Sequence, residues 1–134
     1  MTQALRTASG PVGGVVGVPC SKSIANRALV CAALVDGVST IRGEVSGDDI
    51  GAMIDGLGRL GCPVVHSDDG SLRVSGHGGR IRGGAQVDAL LAGTTSRFLT
   101  AVAALGVEPT VVTGGTRLRE RPMRALHDAL RADR

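Results

Sequence analysis

The chain has 134 residues, and its 15 Lys and Arg against 12 Asp and Glu give a formal net charge of +3, a balance that suits small anionic ligands. Nucleic-acid binding is disfavoured, because Phe98 is the only aromatic residue available to stack on bases and the basic residues form no long run. The cysteines and histidines lack metal-ligand spacing, and no apolar stretch reaches the roughly 18 residues needed to span a bilayer. Without a secretory leader, we expect a cytoplasmic protein with no metal.

The first part of the chain predicts a strand followed by a helix. Valines between glycines over residues 12–18 indicate a short strand after a turn. Helical spacing of apolar residues predicts a helix over residues 23–35, with Ser21 or Ser23 as its N-cap and Asp36-Gly37 as its end. The expected apolar face of this helix consists of Ile24, Ala28, Cys31 and Val35, with Ala25, Leu29 and Ala32 beside them.

A strand, a second helix and a hairpin are predicted next. Residues 38–45 alternate loosely as a strand, and Gly47-Asp48-Asp49 opens a helix that ends at Gly61. The apolar residues of this helix fall at helical spacing: Ile50, Met53, Ile54, Leu57 and Leu60. The two aspartates lie in the first turn, where the helix dipole favours negative charge. Asp68-Asp69-Gly70 between two apolar runs is a hairpin signature, and a glycine-rich loop follows over residues 76–84.

The helix–strand–helix order then recurs. Residues 95–105 predict a helix, residues 110–113 a strand, and residues 122–132 a helix with Pro122 at its first position. The letters repeat as well, since Asn26-Arg27-Ala28-Leu29 resembles Ser96-Arg97-Phe98-Leu99. An internal repeat predicts an α/β fold of two similar units, over about residues 21–84 and 85–134, of which the second lacks its hairpin. A chain that ends within a repeat is expected to be part of something longer.

Three helix starts carry candidate anion-binding residues. Lys22, Ser23 and Arg27 lie at a helix N-terminus within about one turn of each other, where free N–H groups and the positive dipole end favour an anion. Gly93 lets a ligand approach the backbone of the later helix closely. Arg121 ends a run of three alternate arginines, which repel each other unless an anion or a carboxylate lies between them. Ordinary capped helices and a solvated basic loop are the alternative interpretations of these segments.

Four motifs, in this order and at this spacing, resemble those of the EPSP synthase (3-phosphoshikimate 1-carboxyvinyltransferase) family. The motifs are Pro19-Cys20-Ser21-Lys22-Ser23 with Asn26-Arg27-Ala28-Leu29, then Asp48-Asp49-Ile50, then Ala92-Gly93-Thr94 with Arg97, and finally Arg119-Glu120-Arg121-Pro122. The resemblance covers about residues 12–131. It implies that residues 1–134 are a partial N-terminal region of such an enzyme, with about two copies of a βαβαββ repeat, the second truncated.

The resemblance also implies a reaction. The family transfers a carboxyvinyl group from phosphoenolpyruvate to the 5-hydroxyl of shikimate 3-phosphate, with no metal or organic cofactor. Carried over by position, Lys22 is catalytic and contacts both substrates, Ser23 and Arg27 bind shikimate 3-phosphate, and Gly93 and Arg121 bind phosphoenolpyruvate. The family's acid and base carboxylates belong to a C-terminal domain, so we expect the 134-residue chain alone to be inactive and that domain to be its missing partner.

The sequence departs from the family pattern at several positions. Cys20 stands where glycine is usual, Leu90 and Leu91 where small or amide residues are common, and Phe98 where proline is frequent. Two other functions stay open. A UDP-N-acetylglucosamine enolpyruvyl transferase would normally have Lys-Asn in place of Lys22-Ser23, and a non-catalytic fragment binding a phosphate-bearing ligand is favoured by Cys20.

Overall fold

The structure is a computed structural model that describes residues 9–18, 20–43 and 45–132. This part of the chain combines helices with strands, which confirms the predicted α/β class. The elements in chain order are α1 Lys22–Leu34, β1 Asp36–Ile41, α2 Asp48–Arg59, β2 Val64–His66, β3 Leu72–His77, β4 Gln86–Asp88, α3 Gly93–Ala103, β5 Val111–Thr113, α4 Thr116–Arg119 and α5 Arg124–Ala132. Within these ranges, no helix has both the length and the apolar character needed to cross a membrane.

The first sheet has three antiparallel strands in the order β1-β3-β2. Its β2–β3 hairpin confirms the turn predicted at residues 68–70. Gly70 adopts a φ of 77°, and the Asp69 carboxylate accepts hydrogen bonds from the Ser71 hydroxyl at 2.6 Å and from the Ser71 N–H at 3.0 Å. These bonds stabilise the charged carboxylate, so they lower the pKa of Asp69 below its ordinary value.

The second sheet pairs β4 with β5 in parallel, with α3 as the connection between them. The strand β4 was not predicted, because it is three residues long and buries only Val87. The helix–strand–helix order appears as α1-β1-α2 and again as α3-β5-α5, with the short α4 inserted. The division of the chain into two repeats stays a prediction.

The core forms where α1, α2 and α3 pack on one another and on β3. The apolar spacing of α2 predicted its buried side correctly, since Ile50, Met53 and Leu57 are buried. The predicted face of α1 is only partly correct, since its central residues Ile24 and Val35 are 70% and 52% exposed. The predicted flanking residues Ala25, Leu29 and Ala32 are buried, and Asn26 and Ala33 are buried with them. Because α1 is apolar on most sides, spacing alone does not select the face that packs.

Two further predictions fail at the ends of the described chain. Residues 9–18 form no strand, and Val12, Val15, Val16 and Val18 are exposed. A strand requires a partner for its backbone groups, and none of the described strands pairs with this segment. The last helix begins at Arg124, two residues after Pro122, and buries none of its residues. Pro19, Glu44 and residues 133–134, which belong to predicted motifs or elements, lie outside the described residues.

Candidate anion-binding site

The N-terminal turns of α1, α2 and α3 meet at Asp49. The Nζ of Lys22, at the start of α1, lies 2.7 Å from the Oδ2 of Asp49, at the start of α2. The hydroxyl of Thr95, in the first turn of α3, donates a hydrogen bond of 3.0 Å to the Asp49 carbonyl oxygen. Thr95 is fully buried, so this bond fixes α3 against α2. The positive ends of three helix dipoles are therefore held close together.

The α1 turn presents Lys22, Ser23 and Arg27 as the sequence predicted. Ser21 is the N-cap, but its carbonyl rather than its hydroxyl makes the capping contacts, accepting hydrogen bonds from Ile24 and Ala25. The Nη1 of Arg27 donates to the Ser23 carbonyl oxygen at 2.8 Å. The side chain of Lys22 is 61% exposed, and Ser23 and Arg27 are exposed as well. This turn is open to an incoming anion.

The α3 turn holds two arginines beside Gly93. The Nη1 of Arg121 occupies the space that a Cβ on Gly93 would take, and the Nη1 of Arg97 lies 3.3 Å from the same point. Arg97 also donates hydrogen bonds of 3.3 Å to the carbonyl oxygens of Gly93 and Pro122. Glycine at position 93 therefore leaves room for the guanidinium of Arg121. The sequence predicted a different reason for this glycine, the close approach of a ligand to the backbone.

The two guanidinium groups beside Gly93 have no acidic partner in the part of the chain that the structure describes. Glu120, which the sequence offered as a partial counter-charge, forms no ion pair there. Like charges at this separation repel, and an anion between them removes the repulsion. The guanidinium of Arg121 lies beside Gly93 although the residue is exposed, so the alternative of a solvated basic loop stays open for this segment.

The two groups of predicted site residues are joined indirectly. Between residues 9 and 132, with positions 19 and 44 left aside, no hydrogen bond or ion pair joins Lys22, Ser23 or Arg27 to Gly93 or Arg121. Asp49 and Thr95 form one connection, and the Arg27 guanidinium forms another, since its Cζ lies 5.6 Å from the centroid of the Phe98 ring on α3. Sequence reasoning missed both partners: Asp49 was assigned only to the dipole of α2, and no local pattern links Phe98 to Arg27.

The departures from the family pattern have different structural consequences. Among the described residues, Leu90 is the one other than glycine that adopts a positive φ, 52°, so this departure carries backbone strain. Asp88 accepts a hydrogen bond of 2.8 Å from the Leu90 N–H, and the Leu90 carbonyl accepts one of 2.7 Å from Gly115. These bonds hold Leu90 in the left-handed region just before the α3 turn.

Comparison with known proteins identifies the family of the chain. A family model described as EPSP synthase (3-phosphoshikimate 1-carboxyvinyltransferase) matches residues 6–133. Proteins named 3-phosphoshikimate 1-carboxyvinyltransferase from Enterobacter sp. (strain 638) and Klebsiella pneumoniae (strain 342) are 39% and 41% identical to the chain over 123 residues. Each alignment covers 90% of this chain and 29% of the relative, so the chain spans less than a third of the length of these proteins.

A solved structure gives the same result for the fold. An EPSP synthase from Acinetobacter baumannii aligns with a TM-score of 0.78 at 24% sequence identity, covering 89% of this chain and 27% of that one. The match over residues 6–133 and the shared fold lead to one conclusion: the chain belongs to the EPSP synthase family.

Proposed function

We propose that this chain forms part of the substrate site of an enzyme that transfers the carboxyvinyl group of phosphoenolpyruvate to the 5-hydroxyl of shikimate 3-phosphate. The observation that carries the proposal is the meeting of three helix N-termini at Asp49, with Lys22, Arg27 and Arg121 around them. Both substrates are anions, and they can lie side by side only where fixed positive groups offset their repulsion. A cytoplasmic location remains a prediction from the sequence.

The residues take different parts in this proposal. Lys22 is the catalytic residue and contacts both substrates, which fits its position at the junction of α1 and α2. Ser23 and Arg27, on the same turn of α1, bind shikimate 3-phosphate. Gly93 and Arg121 bind phosphoenolpyruvate, and the packed guanidinium of Arg121 offers paired N–H donors to a phosphate or a carboxylate. The transfer proceeds by addition and then elimination, and it requires no cofactor.

A second candidate function is phosphate-ligand binding without catalysis. The arginine pair beside Gly93 favours it, because that pair needs an anion whether or not a reaction follows. The chain also spans only 29% of the relatives, so we propose that the groups for proton transfer come from a further domain of the longer enzyme. Transfer to UDP-N-acetylglucosamine ranks below both, since Ser23 stands in place of the asparagine expected for that activity.

A titration with shikimate 3-phosphate, followed by NMR at low salt, tests the proposal. We expect amide shifts to cluster at residues 21–27, and Lys22→Ala to weaken binding about five-fold, because a charge-assisted hydrogen bond in an open site contributes about 1 kcal/mol. Arg59→Ala is the matched control, since it removes an exposed cation from the far end of α2. Shifts confined to other regions, or equal affinity in Lys22→Ala and the parent, would rule out this site.

A further inference from the structure

The ring of Phe98 and the guanidinium of Arg27 form a contact between α1 and α3. The Arg27 Cζ lies 5.6 Å from the ring centroid, within the roughly 6 Å over which a cation is attracted to an aromatic face. Phe98 is half-buried and packs against the core, so its ring has a fixed position. Arg27 is exposed, and without this contact its long side chain would be free to sample many rotamers.

A second contact holds the same guanidinium within its own helix, α1. Its Nη1 donates a hydrogen bond of 2.8 Å to the Ser23 carbonyl oxygen, one turn earlier on α1. No carboxylate forms an ion pair with Arg27 in the described ranges, in contrast to Lys22, which is paired with Asp49. An aromatic ring attracts a cation without carrying negative charge. Arg27 therefore keeps its full charge, and its other N–H donors remain available to an anion.

We infer that Phe98 is a positioning residue for Arg27, one that orients the guanidinium towards an anionic group of the substrate without neutralising it. The inference rests on the proposed function, because it takes Arg27 as a ligand of shikimate 3-phosphate. It concerns this chain in particular, since Phe98 stands where the family pattern frequently has proline. Pre-orientation increases affinity because less side-chain freedom is lost when the anion binds.

Two substitutions separate the aromatic face from apolar bulk. Phe98→Leu keeps an apolar side chain on the core and removes the ring, whereas Phe98→Tyr keeps the ring. We expect Phe98→Leu to weaken shikimate 3-phosphate binding about two- to five-fold, the range that an exposed cation–π contact provides. Phe98→Tyr should bind as the parent does. Thermal unfolding of each variant checks that the fold is retained.

The side-chain NMR signals of Arg27 provide a second measurement that needs no ligand. Phe98 is the only Phe, Tyr or Trp of the chain, so an upfield ring-current shift of the Arg27 δ-methylene protons that disappears in Phe98→Leu comes from its ring. We expect that shift in the parent and in Phe98→Tyr, and its loss in Phe98→Leu. An Arg27 signal that is the same in the parent and in Phe98→Leu would overturn the inference.

A double-mutant cycle decides whether Phe98 acts through Arg27. If it does, Phe98→Leu weakens binding in the parent but not in Arg27→Ala, so Arg27→Ala costs less affinity when residue 98 is leucine than when it is phenylalanine. Additive losses, or equal losses in Phe98→Leu and Phe98→Tyr, would overturn the inference and leave the proposed function intact. If the parent shows no binding response at residues 21–27, both the proposed function and this inference fail.

Discussion

The Nζ of Lys22 lies 2.7 Å from the Oδ2 of Asp49, so the cation assigned to both substrates is already paired with a carboxylate of the neighbouring helix. The two side chains are 61% and 29% exposed, and an ion pair so open to water contributes at most about 1 kcal/mol to folding. Its effect on an anion is more direct. Asp49 repels the ligand and competes with it for the same ammonium group.

Replacing Asp49 with asparagine should therefore tighten the binding of inorganic phosphate at the α1 turn. We expect an increase in affinity of about two- to five-fold, the equivalent of a weak ion pair. Asp48→Asn is a close control, because Asp48 lies in the same first turn of α2 and no ion pair joins it to Lys22. Equal gains in phosphate affinity in the two variants, measured by NMR titration, would mean that the total negative charge of the first turn of α2 sets the affinity, and not the Lys22–Asp49 pair.

Both aspartate variants should also lose some folding stability. A loss of stability cannot explain tighter binding of phosphate in Asp49→Asn. Negative charge in the first turn of a helix contributes about 0.3–1 kcal/mol through the helix dipole. Asp48→Asn and Asp49→Asn should therefore both unfold at slightly lower urea concentrations than the parent, and Asp49→Asn at the lower of the two, because it also loses the pair with Lys22. A gain in affinity confined to Asp49→Asn could then not be attributed to a difference in folding.

Adding one methyl group at Gly93 should displace Arg121. The new Cβ would overlap the Arg121 Nη1, and this end of a flexible side chain can move, so we expect the fold to survive and phosphoenolpyruvate binding to weaken several-fold. Gly58→Ala is the control, because Gly58 lies in α2 with open space around its missing Cβ. That variant should gain about 0.5–1 kcal/mol of stability without a change in binding. Unchanged phosphoenolpyruvate affinity in Gly93→Ala would argue against a role for Arg121.

The sequence was sufficient for elements whose pattern is local. In α2, Gly47 and the two aspartates mark the start, Gly61 follows the end, and only one face is apolar, so both its limits and its buried face were predictable. The face of α1 was predictable only in part, because apolar residues lie on most sides of the helix and only the packing against α2 and β3 leaves Ile24 exposed and Ala25 buried. The valine-rich sequence of residues 12–18 was not sufficient to predict a strand, because a strand also needs a partner strand to pair with.

The contacts of the site could be predicted only in part. Lys22, Ser23 and Arg27 share one helical turn, so their proximity follows from helix geometry. The pairing of Lys22 with Asp49 depends on how α1 packs against α2, and nothing in the local sequence encodes it. The same holds for Arg121 and Gly93, which lie far apart in the chain and meet only because α4 returns the chain to the start of α3.

The backbone strain at Leu90 predicts an unusual order of stabilities. A φ of 52° raises the conformational free energy of a residue with a Cβ by about 1–2 kcal/mol, whereas glycine adopts this angle without that cost. Leu90→Gly and Leu90→Ala lose nearly the same side-chain contacts, so their difference reports the strain. We expect the glycine variant to be more stable than the alanine variant by about 1 kcal/mol in urea unfolding. The opposite order, normal for helices and strands, would show that position 90 is unstrained.

The three cysteines should react at two very different rates. Cys20 and Cys31 are exposed, whereas Cys62 is fully buried and its thiol donates to the Ala33 carbonyl oxygen at 3.6 Å. Burial raises the pKa of the Cys62 thiol, because the core disfavours the thiolate. A thiol reagent under native conditions should label two cysteines quickly and Cys62 only as the chain unfolds. Rapid labelling of all three, or no loss of the slow phase in Cys62→Ala, would contradict this.

The same shift in the pKa of Cys62 predicts how stability depends on pH. The folded chain holds the thiol proton more tightly than the unfolded chain does. The contribution of the protonated Cys62 thiol to the free energy of unfolding is therefore fully present at pH values below the ordinary thiol pKa. It is lost as pH rises through and beyond that pKa, where unfolding releases a proton. The free energy of unfolding should thus fall at alkaline pH, and fall less in Cys62→Ala. Parallel pH profiles for the two proteins would exclude the effect.

Binding and catalysis should separate in this chain. Lys22, Ser23, Arg27 and Arg121 are all exposed, and the electrostatic stabilisation of a transition state depends on excluding water from such groups. With shikimate 3-phosphate and phosphoenolpyruvate both present, we expect the 134-residue chain to release no phosphate above background, although it still binds the substrates weakly. The Klebsiella pneumoniae relative, assayed in parallel, shows that the conditions support turnover. Phosphate release that scales with the concentration of the chain and disappears in Lys22→Ala would show instead that these residues suffice for the reaction.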